Sequence, residues 1–239
     1  MSIPLQNQVA IVTGASSGIG QGIAEHLGAC GASVVLAARR EAELASIAER
    51  IQAHGSRAMP IQTDVTHGAD VDALVSRTLE EHGRIDLLVN NAGVARHKKF
   101  TDLSMDDFEE LFAVNVFGVV RCTQAVAPPM IEQEAGTIVN ISSGAGFMGY
   151  AGGSAYCASK HAVNGFGKAV YDELRHHGVQ VYTVGPGAVN TTMMSHEDHS
   201  PERQQMLQVA DLSELVEFLA TRERHVSFEP MWTFSRFRG

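Results

Sequence analysis

"QVAIVTGASSGIG", residues 8 to 20, decides the fold. Its first six residues are dense in β-branched and apolar side chains, the mark of a short strand buried on both faces. The run leads directly into Gly14, Gly18 and Gly20 and then into a helical pattern. Strand, glycine turn and helix in immediate succession bring backbone amides and the positive end of a helix dipole to one point, where they favour an anion. The glycine spacing departs from the commonest dinucleotide fingerprint, G-x-G-x-x-G, so position in the fold carries the reading rather than the pattern. That position, between a first strand and a first helix, predicts a pyrophosphate held by Gly14, Ser16, Ser17, Gly18, Ile19 and Gly20.

Outward from this turn, similar apolar runs recur at "SVVLAA" (33 to 38), "AMPIQT" (58 to 63), "IDLLVN" (85 to 90), "TIVNIS" (137 to 142) and "VQVYTV" (179 to 184). Between them lie amphipathic segments such as "EAELASIAERIQAHG" (41 to 55) and "ADVDALVSRTLEEHG" (69 to 83), each ending in a glycine suited to close a helix. Strand and helix alternate, which implies right-handed crossovers and a doubly wound parallel sheet with helices on both faces, an α/β fold. The helix over 106 to 127 is expected to break or kink at Pro128 and Pro129. The closing "HVSFEPMWTFSRFRG" (225 to 239) offers a final strand and an aromatic tail.

The 239 residues, 44% hydrophobic and 19% charged, suit one globular domain spanning 1 to 239, with a polar, turn-rich substrate loop around 192 to 208. A formal charge of −9 argues against general attraction to nucleic acid or anionic membranes. No signal-like start and no run of membrane-spanning length is evident, and Cys30, Cys122 and Cys157 form no paired motif. These features point to a soluble, cytoplasmic protein with reduced thiols.

About 20 residues beyond the glycine turn, an acid usually bonds the ribose hydroxyl of NAD, whereas an arginine accepts the extra phosphate of NADP. Here Ala38 stands where the acid is expected, followed by Arg39 and Arg40. The reading is NADP(H), with Arg39 ahead of Arg40 because the second side chain is free to point to water. Tyr156 and Lys160, in "YCASK", stand four apart at a helix start and share one face, so a cation beside the phenol would draw its pKa down from about 10.

With "TGASSGIG" (13 to 20), "NNAG" (90 to 93), "YCASK" (156 to 160) and "PGAVNT" (186 to 191) in this order, the sequence resembles the short-chain dehydrogenase/reductase family from about residue 7 to about residue 192. The resemblance implies a Rossmann-type fold and carbonyl or alcohol chemistry in which Tyr156 is the acid/base and Lys160 its helper. Ser143 would orient the substrate, with Ser142 its near rival; family spacing, thirteen residues before the tyrosine, favours Ser143. Asn115 is the fourth member, its backbone holding a water on the proton path to Lys160, although a buried, satisfied amide is the plainer reading. By the same resemblance Asp64 and Val65 flank the adenine, Asn91, Ala92 and Gly93 support it and the ribose, and Pro186, Gly187, Val189 and Thr191 hold the nicotinamide side. Gly185 departs from a position often occupied by asparagine, which puts backbone order before Pro186 in question. The resemblance also implies a homotetramer or homodimer assembled through the long fourth and fifth helices.

The roles make chemical sense: hydride arriving at a carbonyl carbon leaves charge on oxygen, and a phenol of lowered pKa can protonate it. Substrate walls are expected from "GAGFMGYAG" (144 to 152), "VARHKKF" (94 to 100), Met193 and Met194. Arg96, His97, Lys98 and Lys99 could meet an acidic substrate, with a solvated loop as the default. His196 and His199 resemble a metal cluster only superficially, and the chemistry needs no metal. A 3-oxoacyl thioester on a carrier protein is an alternative substrate, weakened because "PPMIEQEAG" (128 to 136) carries Glu132 and Glu134 and no cation. A dinucleotide-binding redox sensor or scaffold without turnover is the competing class.

Overall fold

Alternating side chains along the strands supply two apolar layers, and the helices close over both. The computed structural model describes residues 5–191, 203, 205–222 and 231–233. Seven strands, β1 (Val9–Thr13), β2 (Ser33–Ala38), β3 (Ala58–Gln62), β4 (Leu87–Asn90), β5 (Gly136–Ile141), β6 (Val179–Pro186) and β7 (Met231–Thr233), form one sheet in the order β3-β2-β1-β4-β5-β6-β7. Every pairing is parallel, with Ile11 opposite Val35 and Leu88, and Asn90 opposite Asn140.

One face of the sheet sends Ala10, Val12, Leu36, Val89 and Val184 against α1 (Gly18–Ala29), α2 (Glu41–Ala53) and α7 (Val209–Ala220). The neighbouring residues Val9, Ile11, Val35, Leu88 and Val181 point the other way. They meet α3 (Gly68–His82), α5 (Val119–Glu132) and α6 (Ser154–Leu174). This period of two is what a strand buried on both faces requires. At roughly 1.5–3 kcal/mol for each fully buried aliphatic side chain, the two layers dominate the favourable side of folding.

Local signals set the helix ends. Gly83 closes α3 in the left-handed conformation at φ 70°, and Gly55, one residue beyond the α2 cap at His54, has φ 86°. Ser104 caps α4 (Met105–Phe112) in a reciprocal box with Asp107.

Two expectations are corrected. Pro128 and Pro129 do not end their helix: α5 continues to Glu132, held down by buried Val126 and Met130. The departure from α-geometry comes earlier, in a π-helical turn over Ala113–Gly118 that joins α4 to α5 around Asn115. As a result Met105–Glu132 forms a continuous 28-residue helix whose most apolar 18-residue window has a mean hydropathy of 1.3, a value that the core helix of a soluble protein also reaches. It packs here on α3, α6 and the sheet. Gly185 raises no disorder before Pro186, for β6 runs through it; a Cβ there would lie 2.4 Å from the Phe147 ring and 2.9 Å from the Ser143 carbonyl.

Candidate active site

The sheet order reverses between β1 and β4, and the crevice above such a reversal is where open α/β sheets bind ligands. A cleft of about 340 Å³ opens there, lined from the carboxyl ends of β1 to β5. Gly14 turns the chain at φ 65°, in the region only glycine enters freely. Its neighbours fix the turn: Asn91 Nδ2 donates to the carbonyls of Thr13 and Gly14 at 3.0 and 3.3 Å, and the Thr13 hydroxyl accepts from the backbone N–H groups of Asn91 and Ala92. At Gly20 a Cβ would sit 2.3 Å from Asn91 Nδ2 and 2.4 Å from the Gly14 carbonyl, so α1 can meet the turn only through glycine.

The mouth beside this turn is polar and cationic. Ser17 caps α1 without using its side chain, and no acid occupies the first turn, which leaves the helix end suited to negative charge. Arg40, half exposed, also reaches the turn: it donates to the Ser16 hydroxyl at 2.9 Å and the Ser17 hydroxyl at 2.8 Å. Arg39 lines the cleft as well and faces Asp64 electrostatically. Burial raises the Asp64 pKa, but the side-chain and backbone hydrogen bonds from Thr66, with the charges of Arg39 and His67, outweigh it and hold the carboxyl below its usual range. Asp64 thus caps a turn, accepting Thr66 Oγ1 at 2.7 Å, and still borders the cleft.

At the other end, α6 presents Tyr156 and Lys160 one turn apart. Lys160 is buried; its Nζ donates to the Ile141 carbonyl at 3.0 Å and lies 5.9 Å from the centroid of the Tyr156 ring. Burial pushes the ammonium down to about 8. The phenol departs from expectation: burial raises the Tyr156 pKa rather than leaving it lowered, with the hydrogen bond to Ser143 opposing and Cys157 adding to the rise. Both groups resist charge for the same reason, removal from water. The two candidate serines differ in their partners. Ser143 bonds the Tyr156 side chain, while the buried Ser142 donates to the Lys160 carbonyl at 3.2 Å.

Asn115, fully buried in the π turn, accepts the Val94 N–H at 2.8 Å and donates to the Val94 carbonyl at 2.9 Å and Ser159 Oγ at 3.1 Å. Its side chain therefore ties the loop after β4 to α6. The structure brings Gly14, Ser16, Ser17, Gly18, Ile19, both arginines, Asp64, Val65, Asn91, Ala92, Gly93, Tyr156, Lys160 and Thr191 into one cleft. Asn115, Ser143, Gly20, Pro186, Gly187 and Val189 do not line it, whereas Ser142 does; Val189 is buried and bridges Leu207. Sequence reasoning missed the lining residues Ala37, Thr63, Val114 and Ile141, whose only signal is their place at strand ends or in the π turn; Val94, expected as part of a substrate wall, lines the cleft as well.

On the substrate side, His97 accepts or donates at 3.0 Å to the Tyr150 hydroxyl, and its ring centroid is 6.1 Å from that of Tyr156. Burial, with smaller effects of Cys157 and Tyr156, pushes Tyr150 up to about 12. Arg96 and Lys98, 38% and 39% exposed, are paired with acids rather than free for an acidic substrate. Lys98 pairs with Asp107 at 2.8 Å, and Arg96 with Asp107 at 3.2 Å and with Glu110. Met193, Met194, His196 and His199, and most of the 192 to 208 loop, lie outside the described residues.

A family model for short chain dehydrogenases matches residues 8–202. A 3-oxoacyl-[acyl-carrier-protein] reductase of Synechocystis is 40% identical over 198 residues, covering 82% of this chain and 80% of the relative. Among solved structures, a metagenomic short-chain oxidoreductase in complex with NADP superposes with a TM-score of 0.84 at 36% identity, over 97% of both chains. An alcohol dehydrogenase of the archaeon Thermococcus sibiricus, complexed with 5-hydroxy-NADP, gives 0.89 at 27% identity over 97% of this chain and 98% of its own.

Proposed function

Because the chain belongs to the short-chain dehydrogenase family, we propose that it is an NADP(H)-dependent oxidoreductase moving a hydride between nicotinamide and a small carbonyl or alcohol substrate. The observation that carries this reading is a single cleft with Ser16, Ser17, Arg39 and Arg40 at one end and Tyr156, flanked by Ser143 and Lys160, at the other. The donor set fits a phosphorylated dinucleotide: two guanidinium groups, two hydroxyls and an uncapped helix N-terminus all favour anions. NADP in the metagenomic relative supports the same choice. When bound, the nicotinamide supplies or accepts the hydride.

The remaining work falls to the protein. In reduction, Tyr156 gives its proton to the substrate oxygen; a pKa raised by burial keeps that proton in place at neutral pH. The phenolate left behind is stabilised by the Lys160 cation, present below about pH 8, and by the Ser143 hydrogen bond. In oxidation the same groups run in reverse, the phenolate taking the alcohol proton. Lys160 is held at its post by the Ile141 carbonyl, and Asn115 keeps the β4 loop against α6.

A second reading, reduction of a 3-oxoacyl thioester, draws support from the Synechocystis relative. Against it, Arg96 and Lys98 of the loop after β4 are already paired with Asp107 and Glu110, which weakens their pull on an acidic carrier. Absorbance of NADPH and, in parallel, NADH should be followed with ketones, aldehydes, diketones and 3-oxoacyl thioesters. NADPH consumption on a small carbonyl supports the proposal; exclusive use of the thioester selects the second reading. NADPH binding with silence on every substrate favours a non-catalytic sensor.

A further inference from the structure

Away from the cleft, the last turn of α1 and the second half of α7 bring three metal-ligating groups together. His26 and Cys30 stand four apart at the end of α1, so they share one face, and Glu217 reaches them from α7. His26 Nε2 is 2.7 Å from Glu217 Oε2 and 3.7 Å from Cys30 Sγ, and the three donor atoms all lie within 4.8 Å of one another. Zinc bonds of about 2.0–2.3 Å in a tetrahedron put neighbouring ligand atoms roughly 3.3–3.7 Å apart. The nitrogen-to-sulfur edge therefore already has the required length, and the nitrogen-to-oxygen edge needs to open by less than about 1 Å. Among the described residues no arginine or lysine pairs with Glu217, so nothing else supplies its carboxylate with permanent positive charge. The His26 and Glu217 side chains are 29% and 26% exposed, which gives a cation entry from solvent and a water to complete the shell.

We propose that His26, Cys30 and Glu217 bind one divalent cation of the zinc class, fastening the end of α1 to α7. Thiolate, imidazole and carboxylate donors together suit zinc rather than magnesium or calcium, which prefer all-oxygen shells. Binding is redox-neutral: the Cys30 thiol proton passes to solvent as the metal–sulfur bond forms, and His26 binds as the neutral imidazole through Nε2 with its proton on Nδ1. The site lies about 18 Å along α1 from the glycine turn, so the cation is structural and takes no part in hydride transfer. It stands independently of the oxidoreductase reading.

Cobalt(II) reports such a site directly. Chelator-treated full-length protein titrated with Co²⁺ should take up one ion per chain, with a thiolate-to-metal charge-transfer band and the visible bands of four-coordinate cobalt, both bleached by Zn²⁺. Cys30→Ser should abolish the charge-transfer band, and Glu217→Gln and His26→Gln should weaken Co²⁺ binding at least about tenfold. Zn²⁺ should raise the Tm of the parent and not that of Cys30→Ser, with retained NADPH binding showing that the variant is folded. If Cys30→Ser does not fold, Glu217→Gln carries the comparison. No charge-transfer band, or one unchanged in both Cys30→Ser and Glu217→Gln, overturns the proposal.

Discussion

Tyr156 and Lys160 feel burial with opposite consequences for charge, and each consequence can be measured. Lys160 has a folded pKa of about 8 against 10.5 for the free side chain. Below about pH 8 it is charged in both folded and unfolded chains, and its burial lowers stability throughout that range. Between about pH 8 and 10.5 the folded chain releases the proton while the unfolded chain keeps it, so this contribution to stability rises with pH. Lys160→Met, which removes the buried charge, should melt above the parent at pH 7, and the gap should narrow towards pH 10. In the proposed mechanism the same cation stabilises the phenolate, so kcat/KM for carbonyl reduction should be level near neutrality and fall about tenfold per unit above pH 8 in the parent. Tyr156→Phe should lose roughly 10²–10⁴-fold in kcat while NADPH binding, followed by fluorescence, stays within about twofold. Ser143→Ala should fall well below Ser142→Ala in turnover, because only Ser143 bonds the phenol.

At the scale of elements, the glycine turn depends on one packing fact, the absence of a Cβ at Gly20. Gly20→Ala forces α1 away from Asn91 and the Gly14 carbonyl, and overpacking of this kind costs about 1–3 kcal/mol. Its Tm should drop and its NADPH Kd should rise at least about tenfold. Gly68→Ala, at the open start of α3 with no atom within 4 Å of the added Cβ, should leave both nearly unchanged. The strands were legible because burial on both faces writes itself into local composition: "SVVLAA" is β2 residue for residue. Tyr156 and Lys160 were legible because helical spacing alone makes them neighbours. The π turn was not, since Asn115 is held by Val94 and Ser159, partners 21 and 44 residues away. Nor was the survival of α5 through two prolines, where burial of Val126 and Met130 overrides propensity. The bonds from Arg40 to Ser16 and Ser17 were not legible either, since those partners stand 24 and 23 residues away.

For the whole molecule, the unanswered surface is the outer side of the continuous Met105–Glu132 helix. It is apolar by composition, yet Met105 is 69% and Phe117 51% exposed in the single chain, and Phe100 beside its start is 73% exposed. Large exposed apolar side chains are a feature of contact surfaces. The sheet accounts for the inner side of this helix, through Cys122, Val126 and Met130. The family resemblance leads to the expectation that a second copy of the chain covers the outer side, through the long helices. Light scattering on the purified chain should therefore give a dimer or tetramer mass at micromolar concentration. Phe117→Glu puts a charge into that contact and should shift the population towards monomer, with NADPH binding intact because Phe117 does not line the cleft. A parent that is monomeric throughout would leave the exposed helix face to some other partner and remove assembly from the account.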